Sequence, residues 1–269
     1  MGVWGGCATE AGRIKPVNQD SILFCSRKCR KDWIALGLVS DGISGLPRGE
    51  LAAALIRDLA YQWFCGIEEE PEQELVLSLE RAFQEANRRV RQDLWKERGI
   101  RTGATLSACL LVGRSLYCCQ VGDSRIYRGR KGRWQLLTKD QSVWQERGGR
   151  LKLCLANYVG KDEELSFETV RIRLEPGDVV LYCSDGFYKT MREEDLQWFF
   201  LKDSFVGPDE GCRELIGRAE ERGERDNISV GFIRLEAEGK IRGLLAGLSD
   251  RRAEERMSMG WENTDETEF

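Results

Sequence analysis

Short runs of apolar and β-branched residues recur along most of the chain. Turn sequences containing glycine separate several of them, as at Val112–Ser115 and Glu175–Asp178. Sequential strands joined in this way favour antiparallel sheets. The runs that predict strands most clearly are Ile34–Ser40, Leu106–Val112, Leu116–Val121, Val170–Leu174, Val179–Ser184 and Ile228–Leu235.

Two longer segments have helical rather than strand spacing. Apolar residues fall at positions 51, 55, 59 and 63 of Glu50–Phe64, and Gln73–Trp95 has an apolar face opposite a polar one. Later helices are predicted at Arg192–Leu201 and Pro208–Arg222. This order of elements indicates an α+β fold in which helices pack outside antiparallel sheets.

The composition changes near residue 236. The predicted strands and helices all lie in residues 1–236, so we expect a single domain there. Residues 237–269 are rich in charge, have few apolar anchors and end in the acidic stretch Glu262–Glu268. Such a composition is typical of a flexible tail, and a docking role for it is the less favoured interpretation.

The composition also narrows the possible chemistry. The chain has 269 residues, 45 of them acidic and 41 basic, a formal net charge of −4 and no histidine. Without histidine there can be no Ser-His-Asp or Cys-His nucleophilic site, and no zinc site with histidine ligands. Acid–base and metal chemistry must come from the remaining polar side chains or from metal-bound water.

Charge and hydropathy bear on location and partners as well. The near-neutral charge argues against a nucleic-acid partner, because neutralising phosphates needs a basic excess. No run approaches the ~20 apolar residues of a membrane span, and the first residues lack a signal-peptide pattern. Ten cysteines without a Cys-x-x-Cys pair are typical of free thiols in a reduced interior. We therefore expect a cytoplasmic protein with no nucleic-acid or membrane partner.

Aspartates stand beside several of the predicted strands. A single Asp-Gly pair usually makes a turn. Here Ser-Asp-Gly occurs twice, at 40–42 and 184–186, each time after an apolar run. Carboxylates gathered at strand ends repel one another, and Mg²⁺ or Mn²⁺, which prefer oxygen ligands, relieve that repulsion. The pattern predicts a divalent-metal site built from Asp20, Asp41, Asp123, Asp185 and Asp226.

The order of short motifs along the chain resembles that of one family. The motifs are Gly12–Asp20, Val39–Gly45, Gly103–Thr105, Val121–Arg125, Leu137–Ser142, Pro176–Asp178, Cys183–Gly186 and Asp226–Val230. Together they are similar to those of the metal-dependent type-2C protein phosphatases, the PPM family, and especially of its compact bacterial branch. The resemblance implies a four-layer α-β-β-α sandwich with two central antiparallel β-sheets and a dinuclear Mn²⁺ or Mg²⁺ centre at one end.

The resemblance also implies a role for each metal-site residue. Asp41 would bridge the two ions, and the carbonyl of Gly42 would bind the second. Asp185 and Asp226 would supply the remaining carboxylates of the first ion. Asp123, together with Asp185, would form a third and weaker metal site.

A reaction and its partners follow from the same resemblance. A water activated between the two ions would hydrolyse phosphoserine and phosphothreonine on proteins. Asp20 belongs to the strand motif that lines the centre and is counted among the metal residues, and Lys15 would bind the substrate phosphate. We expect a monomer that acts on phosphorylated proteins, namely a bacterial serine/threonine kinase and its targets.

Four departures from the family pattern bear on activity. Lys15 replaces an arginine, which removes a bidentate contact to phosphate. Gln19 replaces a glutamate near the second ion, and no histidine follows Asp41. Gln141 replaces a usual histidine, and the segment from Val143 to Leu165 is short for the family's mobile flap. The alternative interpretation is a weakly active or inactive pseudophosphatase that binds metal and phosphoprotein as a regulatory module.

Overall fold

The computed structural model describes residues 1–13, 17–29, 32–68, 71–161, 164–201 and 207–237. The helix at Glu72–Arg89 continues into a segment of wider, π-helical turns at Val90–Glu97. The strands are β1 (Gly2–Glu10), β2 (Asp20–Cys29), β3 (Asp32–Asp41), β4 (Leu106–Val112), β5 (Ser115–Val121), β6 (Arg125–Arg130), β7 (Arg133–Leu136), β8 (Ser142–Arg147), β9 (Arg150–Leu155), β10 (Glu168–Arg173), β11 (Val179–Cys183) and β12 (Ile228–Glu236). The helices are α1 (Gly49–Cys65), α2 (Glu72–Arg89), α3 (Asp185–Tyr188), α4 (Glu193–Leu201) and α5 (Pro208–Glu221).

Two five-stranded antiparallel sheets form the centre of the fold. One has the strand order β1-β12-β11-β6-β7 and the other β10-β5-β4-β3-β2, while β8 and β9 pair only with each other. In the second sheet Asp20, the first residue of β2, pairs in register with Asp41, the last residue of β3. The chain order thus brings two of the predicted site residues to the same sheet end.

The alternation of side chains along each strand creates the layers. In β3, Leu36 and Leu38 pack with α1 and α2 on one face, whereas Ala35 and Val39 face the other sheet. The other sheet repeats this arrangement, with its outer face against α4 and α5. Three buried hydrophobic clusters, one between the two sheets and one between each sheet and its helices, therefore separate four layers of secondary structure. The predicted α-β-β-α sandwich is confirmed.

Tyr182 fills the space between the two sheets at their centre. Its side chain is fully buried, and its hydroxyl donates a hydrogen bond to the carbonyl of Leu23, 2.9 Å away. A Cβ atom added at Gly37 or Gly231 would lie 2.4 Å from the tyrosine ring. These two glycines provide the room that lets one large side chain join the sheets.

The strands and helices predicted from the hydrophobic pattern agree with the structure. The ends differ by no more than two residues, as for Gln73–Trp95 against helical residues 72–97. Six of the described strands were not among the runs that the pattern predicted most clearly, namely β1, β2, β6, β7, β8 and β9. Within the ranges described, every helix is too short or too polar to span a bilayer. The predicted tail, apart from Ala237, lies outside the described residues.

Candidate metal centre

A pocket of about 540 Å³ opens where several strands of both sheets end or begin. Asp41 is the last residue of β3, and Asp185 follows β11 and begins α3. Asp123 lies in the turn between β5 and β6, and Asp226 is separated from β12 by one residue. All four side chains line the pocket together with Gly42 and Lys189. Residues far apart in sequence are thus brought to one cavity.

Thr105 fixes the position of Asp41. The amide of Asp41 donates to the Thr105 hydroxyl oxygen at 2.9 Å, and the amide of Thr105 donates to the Asp41 carbonyl at 2.8 Å. The next residue, Gly42, donates its amide to the Gln19 carbonyl at 3.0 Å. A Cβ at Gly42 would lie only 2.5 Å from the backbone of Gly49. Only glycine therefore allows this close approach of the chain beside the pocket.

Asp20 is buried beneath the pocket, at 7% exposure, with one satisfied oxygen and one unsatisfied oxygen. Its Oδ2 accepts a hydrogen bond of 2.8 Å from the Ser229 hydroxyl, whereas Oδ1 has no hydrogen-bond partner. Burial raises the pKa of Asp20 above its ordinary value, and the nearby charge of Asp185 adds to the rise. A buried carboxylate oxygen without a partner is costly, and a bound cation would satisfy it.

Asp123 is the second acid of the centre that burial perturbs. Burial and, to a lesser extent, the charge of Asp185 raise its pKa to about 6. The Ser142 hydroxyl donates to Asp123 Oδ2 at 3.3 Å. Gln141 holds the preceding turn in place, because its side-chain oxygen accepts the amide of Gly122 at 2.9 Å. The glutamine that stands where the family usually has histidine thus shapes the turn that carries Asp123.

Lys189 provides a positive charge at the edge of this acidic pocket, where about half of its side chain is exposed. Its ammonium lies 2.6 Å from Asp185 Oδ2, one helical turn after that aspartate. Burial lowers the pKa of Lys189, but the hydrogen bond and charge of Asp185 outweigh this effect, so the pKa is raised overall. The preceding residue, Tyr188, also lines the pocket and is covered by the Arg125 guanidinium, 3.8 Å from the ring centre.

The donor set fits hard divalent cations. Carboxylates, a backbone carbonyl and water are the ligands that Mg²⁺ and Mn²⁺ prefer. Among the described residues, no three acidic or cysteine side chains form a group that could hold one ion. Mg²⁺ is commonly held by one or two carboxylates and keeps several waters, so a group of three is not required. The unsatisfied oxygen of Asp20 adds an observation that favours a cation here.

Comparison with known proteins identifies the family. Residues 11–210 match the model of the family described as Protein phosphatase 2C. The chain belongs to this family. A putative protein phosphatase 2C-type from Streptococcus pyogenes is 28% identical to this phosphatase over 245 residues, which cover 86% of this chain and 96% of the relative. The serine/threonine phosphatase stp of Listeria innocua is 25% identical, over 82% of this chain and 92% of that protein.

Solved structures show the same fold. The catalytic domain of the serine/threonine protein phosphatase PstP, in complex with two manganese ions, superposes with a TM-score of 0.72 at 23% identity. The match covers 87% of this phosphatase and 99% of that chain. The family resemblance and the enzyme class predicted from the sequence, a protein-serine/threonine phosphatase, are confirmed.

The structure brings most of the predicted site residues of this phosphatase together. The residues Asp41, Gly42, Asp123, Asp185 and Asp226 line one pocket, and Asp20 lies directly behind it as the register partner of Asp41. Lys15 lies outside the described residues. The individual metal and phosphate roles of these residues stay predictions.

The sequence analysis assigned no role to two residues beside the pocket, Thr105 and Lys189. Thr105 was part of a quoted motif but had no assigned role, because its hydrogen bonds to Asp41 cross between neighbouring strands. Lys189 had a usable signal, since it stands four residues after Asp185. That signal has meaning only if a helix begins at the aspartate, and an Asp-Gly pair usually indicates a turn instead.

Proposed function

We propose that this phosphatase removes phosphate from serine and threonine side chains of proteins with two divalent cations, Mn²⁺ or Mg²⁺. The proposal rests on four aspartates from both sheets around one pocket, with the unsatisfied oxygen of Asp20 behind them. Asp41, the Gly42 carbonyl, Asp185 and Asp226 would hold the ions. Such ions supply an activated water and stabilise the charge that develops on the phosphoryl group.

The chain's own residues position these ligands and exclude other chemistry. Thr105 holds Asp41, and Ser229 orients Asp20. Cys183 lies two residues before Asp185, but burial raises the pKa of its thiol far above the ordinary value. This thiol stays protonated and packs as an apolar residue, so it cannot act as the nucleophile. Direct hydrolysis without a covalent intermediate on this cysteine fits the site.

The proposed physiological partners rest on the family to which the chain belongs. The β8–β9 hairpin lines one wall of the pocket through Ser142, Leu153 and Leu155. We propose that a bacterial serine/threonine kinase supplies the phosphoproteins, and that the phosphatase acts as a monomer. Lys15 would bind the phosphate as a single charge rather than through a bidentate fork.

The decisive experiment is hydrolysis of a phosphothreonine peptide with and without Mn²⁺. We expect metal-dependent turnover by the natural chain and a loss of at least about 100-fold in Asp185→Asn, because the change removes charge from the metal pocket. Asp58→Asn is the matched control, since Asp58 is exposed on α1 and its carboxylate forms an ion pair with the neighbouring Arg57. Equal rates with and without metal would overturn the mechanism. Metal binding without turnover by the natural chain would instead establish the pseudophosphatase alternative.

Substitution of Lys15 tests the phosphate assignment separately. Lys15→Arg restores a planar group with two parallel donors, so we expect KM for the phosphopeptide to fall several-fold while kcat changes less. Steady-state kinetics at saturating Mn²⁺ measure both constants. A KM that rises in Lys15→Arg would contradict the assignment of this lysine to the phosphate.

A further inference from the structure

Lys189 is held against the acidic wall of the pocket. Its ammonium lies 2.6 Å from Asp185 Oδ2, and its charge also acts on Asp123, Asp41 and Asp226. Among the described residues that line the pocket, Lys189 alone is basic. The short helix α3 fixes the lysine, because residues four apart on a helix face the same side.

We propose that the ammonium of Lys189 takes the place of a third divalent cation beside Asp123 and Asp185, so that this phosphatase binds two metal ions and not three. The inference rests on the proposed function, because it concerns the metal content of the same site. It replaces the third, weaker metal site that the family resemblance implies.

The sum of the charges at the metal centre favours the binding of two divalent ions. When ionised, its five aspartates carry five negative charges, and the ammonium with two divalent cations carries five positive charges. A third ion would bring a surplus of positive charge into a partly buried pocket. It would also have to approach Asp185 within a few ångströms of the ammonium, where like charges repel strongly.

The covalent attachment of the lysine gives it an advantage over a free ion. An ammonium tethered one turn from its carboxylate is always present at a high effective concentration, whereas a weakly bound metal ion depends on its concentration in solution. The guanidinium of Arg125 covers the ring of Tyr188 and so helps to hold this residue, which directly precedes the lysine. The region around Asp123 and Asp185 therefore has its positive charge at every metal concentration.

The test is the number of Mn²⁺ ions bound per chain, measured without substrate by equilibrium dialysis and elemental analysis up to millimolar Mn²⁺. We expect two ions for the natural chain and three for Lys189→Asp, which removes the ammonium and adds a carboxylate. The third ion should be lost again when Asp123→Asn is added to Lys189→Asp. Lys189→Gln, which removes the charge with little change of volume, should also bind a third ion. This variant provides the test if Lys189→Asp does not fold.

Lys131→Asp is the control for the change of net charge. Lys131 is exposed at the β6–β7 hairpin turn with a φ of 51°, a conformation that aspartate tolerates, and this variant should bind two ions. Three ions in the natural chain would overturn the inference, as would two ions in folded Lys189→Asp and Lys189→Gln. The number of bound ions is measured without substrate, so it can be determined even if the chain does not hydrolyse phosphopeptides. A failure of hydrolysis would count only against the proposed function.

Discussion

Asp123 is a single residue whose ionised carboxylate lowers the stability of the folded chain. Its carboxyl is mostly buried and has a single long hydrogen bond from Ser142, 3.3 Å in length. Burial and the charge of Asp185 raise its pKa to about 6, so its ionised form is disfavoured in the folded chain. Asp20 is perturbed in the same direction for the same reasons. Both acids cost stability at neutral pH unless a cation compensates them.

This conflict predicts the pH dependence of the metal-free protein. The folded-state pKa of Asp123, about 6, lies above its ordinary value of 3.8, so between these values the folded state binds the proton more readily than the unfolded state. The free energy of unfolding should therefore fall as the pH rises from about 4 through 6. Asp123→Asn should be more stable than the natural chain by about 2 kcal/mol at pH 7.5, and this gap should shrink towards pH 4.

Denaturant unfolding in the presence of a chelator, at pH 4.5 and 7.5, measures this gap. Asp58→Asn, an exposed substitution on α1, should show no comparable gain at either pH. A difference between Asp123→Asn and the natural chain that is the same at both pH values would show that the gain does not come from the ionised carboxylate.

The β8–β9 hairpin carries an exposed apolar face beside the pocket. Its strands pair Trp144 with Leu153 in register, and the side chains of Trp144, Leu151 and Leu153 are 68%, 69% and 56% exposed. These three residues lie on one face of the hairpin, because they occupy alternate positions and paired registers. An exposed apolar face next to a catalytic pocket is typical of a surface that contacts a protein substrate.

Removing the tryptophan tests this role of the hairpin. In Trp144→Ala we expect KM for a phosphorylated protein to rise several-fold, because apolar contact area is lost. Hydrolysis of p-nitrophenyl phosphate should stay unchanged, because Trp144 does not line the pocket and this substrate is too small to reach it. Leu77→Ala removes an exposed apolar side chain from α2 and serves as the control. An equal loss with both substrates would show that the hairpin supports the pocket rather than the bound protein.

Sequence patterns predicted some elements better than others, for physical reasons. Buried strands such as β4 and β11 read as continuous apolar runs and were placed almost to the residue. The β8–β9 hairpin is exposed and lacks a continuous apolar run, although β9 alternates between polar and apolar residues from Arg150 to Leu153 and so left a signal that went unused. Its turn also left a signal, since Gly148 and Gly149 both have positive φ, as a two-residue hairpin turn requires. The first strand was missed because glycine, which it contains at three positions, has low strand propensity.

At the scale of the whole molecule, the residues of the site could be named from the sequence, but their surroundings could not. The motifs singled out aspartates far apart in the sequence, and the structure gathers Asp41, Asp123, Asp185 and Asp226 in one pocket. The burial of Asp20 depends on how the two sheets stack, because its Oδ2 accepts a hydrogen bond from Ser229 of the other sheet. No local pattern encodes that stacking. The ion pair of Lys189 with Asp185 is local by contrast, but it can be expected only once a helix is known to begin at the aspartate.

The location of the centre between the sheets has a consequence for the lifetime of the protein. In the proposed centre Asp41 comes from one sheet, while Asp185 and Asp226 border the other. Ions held by both sets of ligands can bind only while the sheets stay together, so their binding energy opposes every local opening of that end. Proteases cleave chains in such opened states. The supply of divalent cation would then set the rate of degradation of the enzyme as well as its rate of turnover.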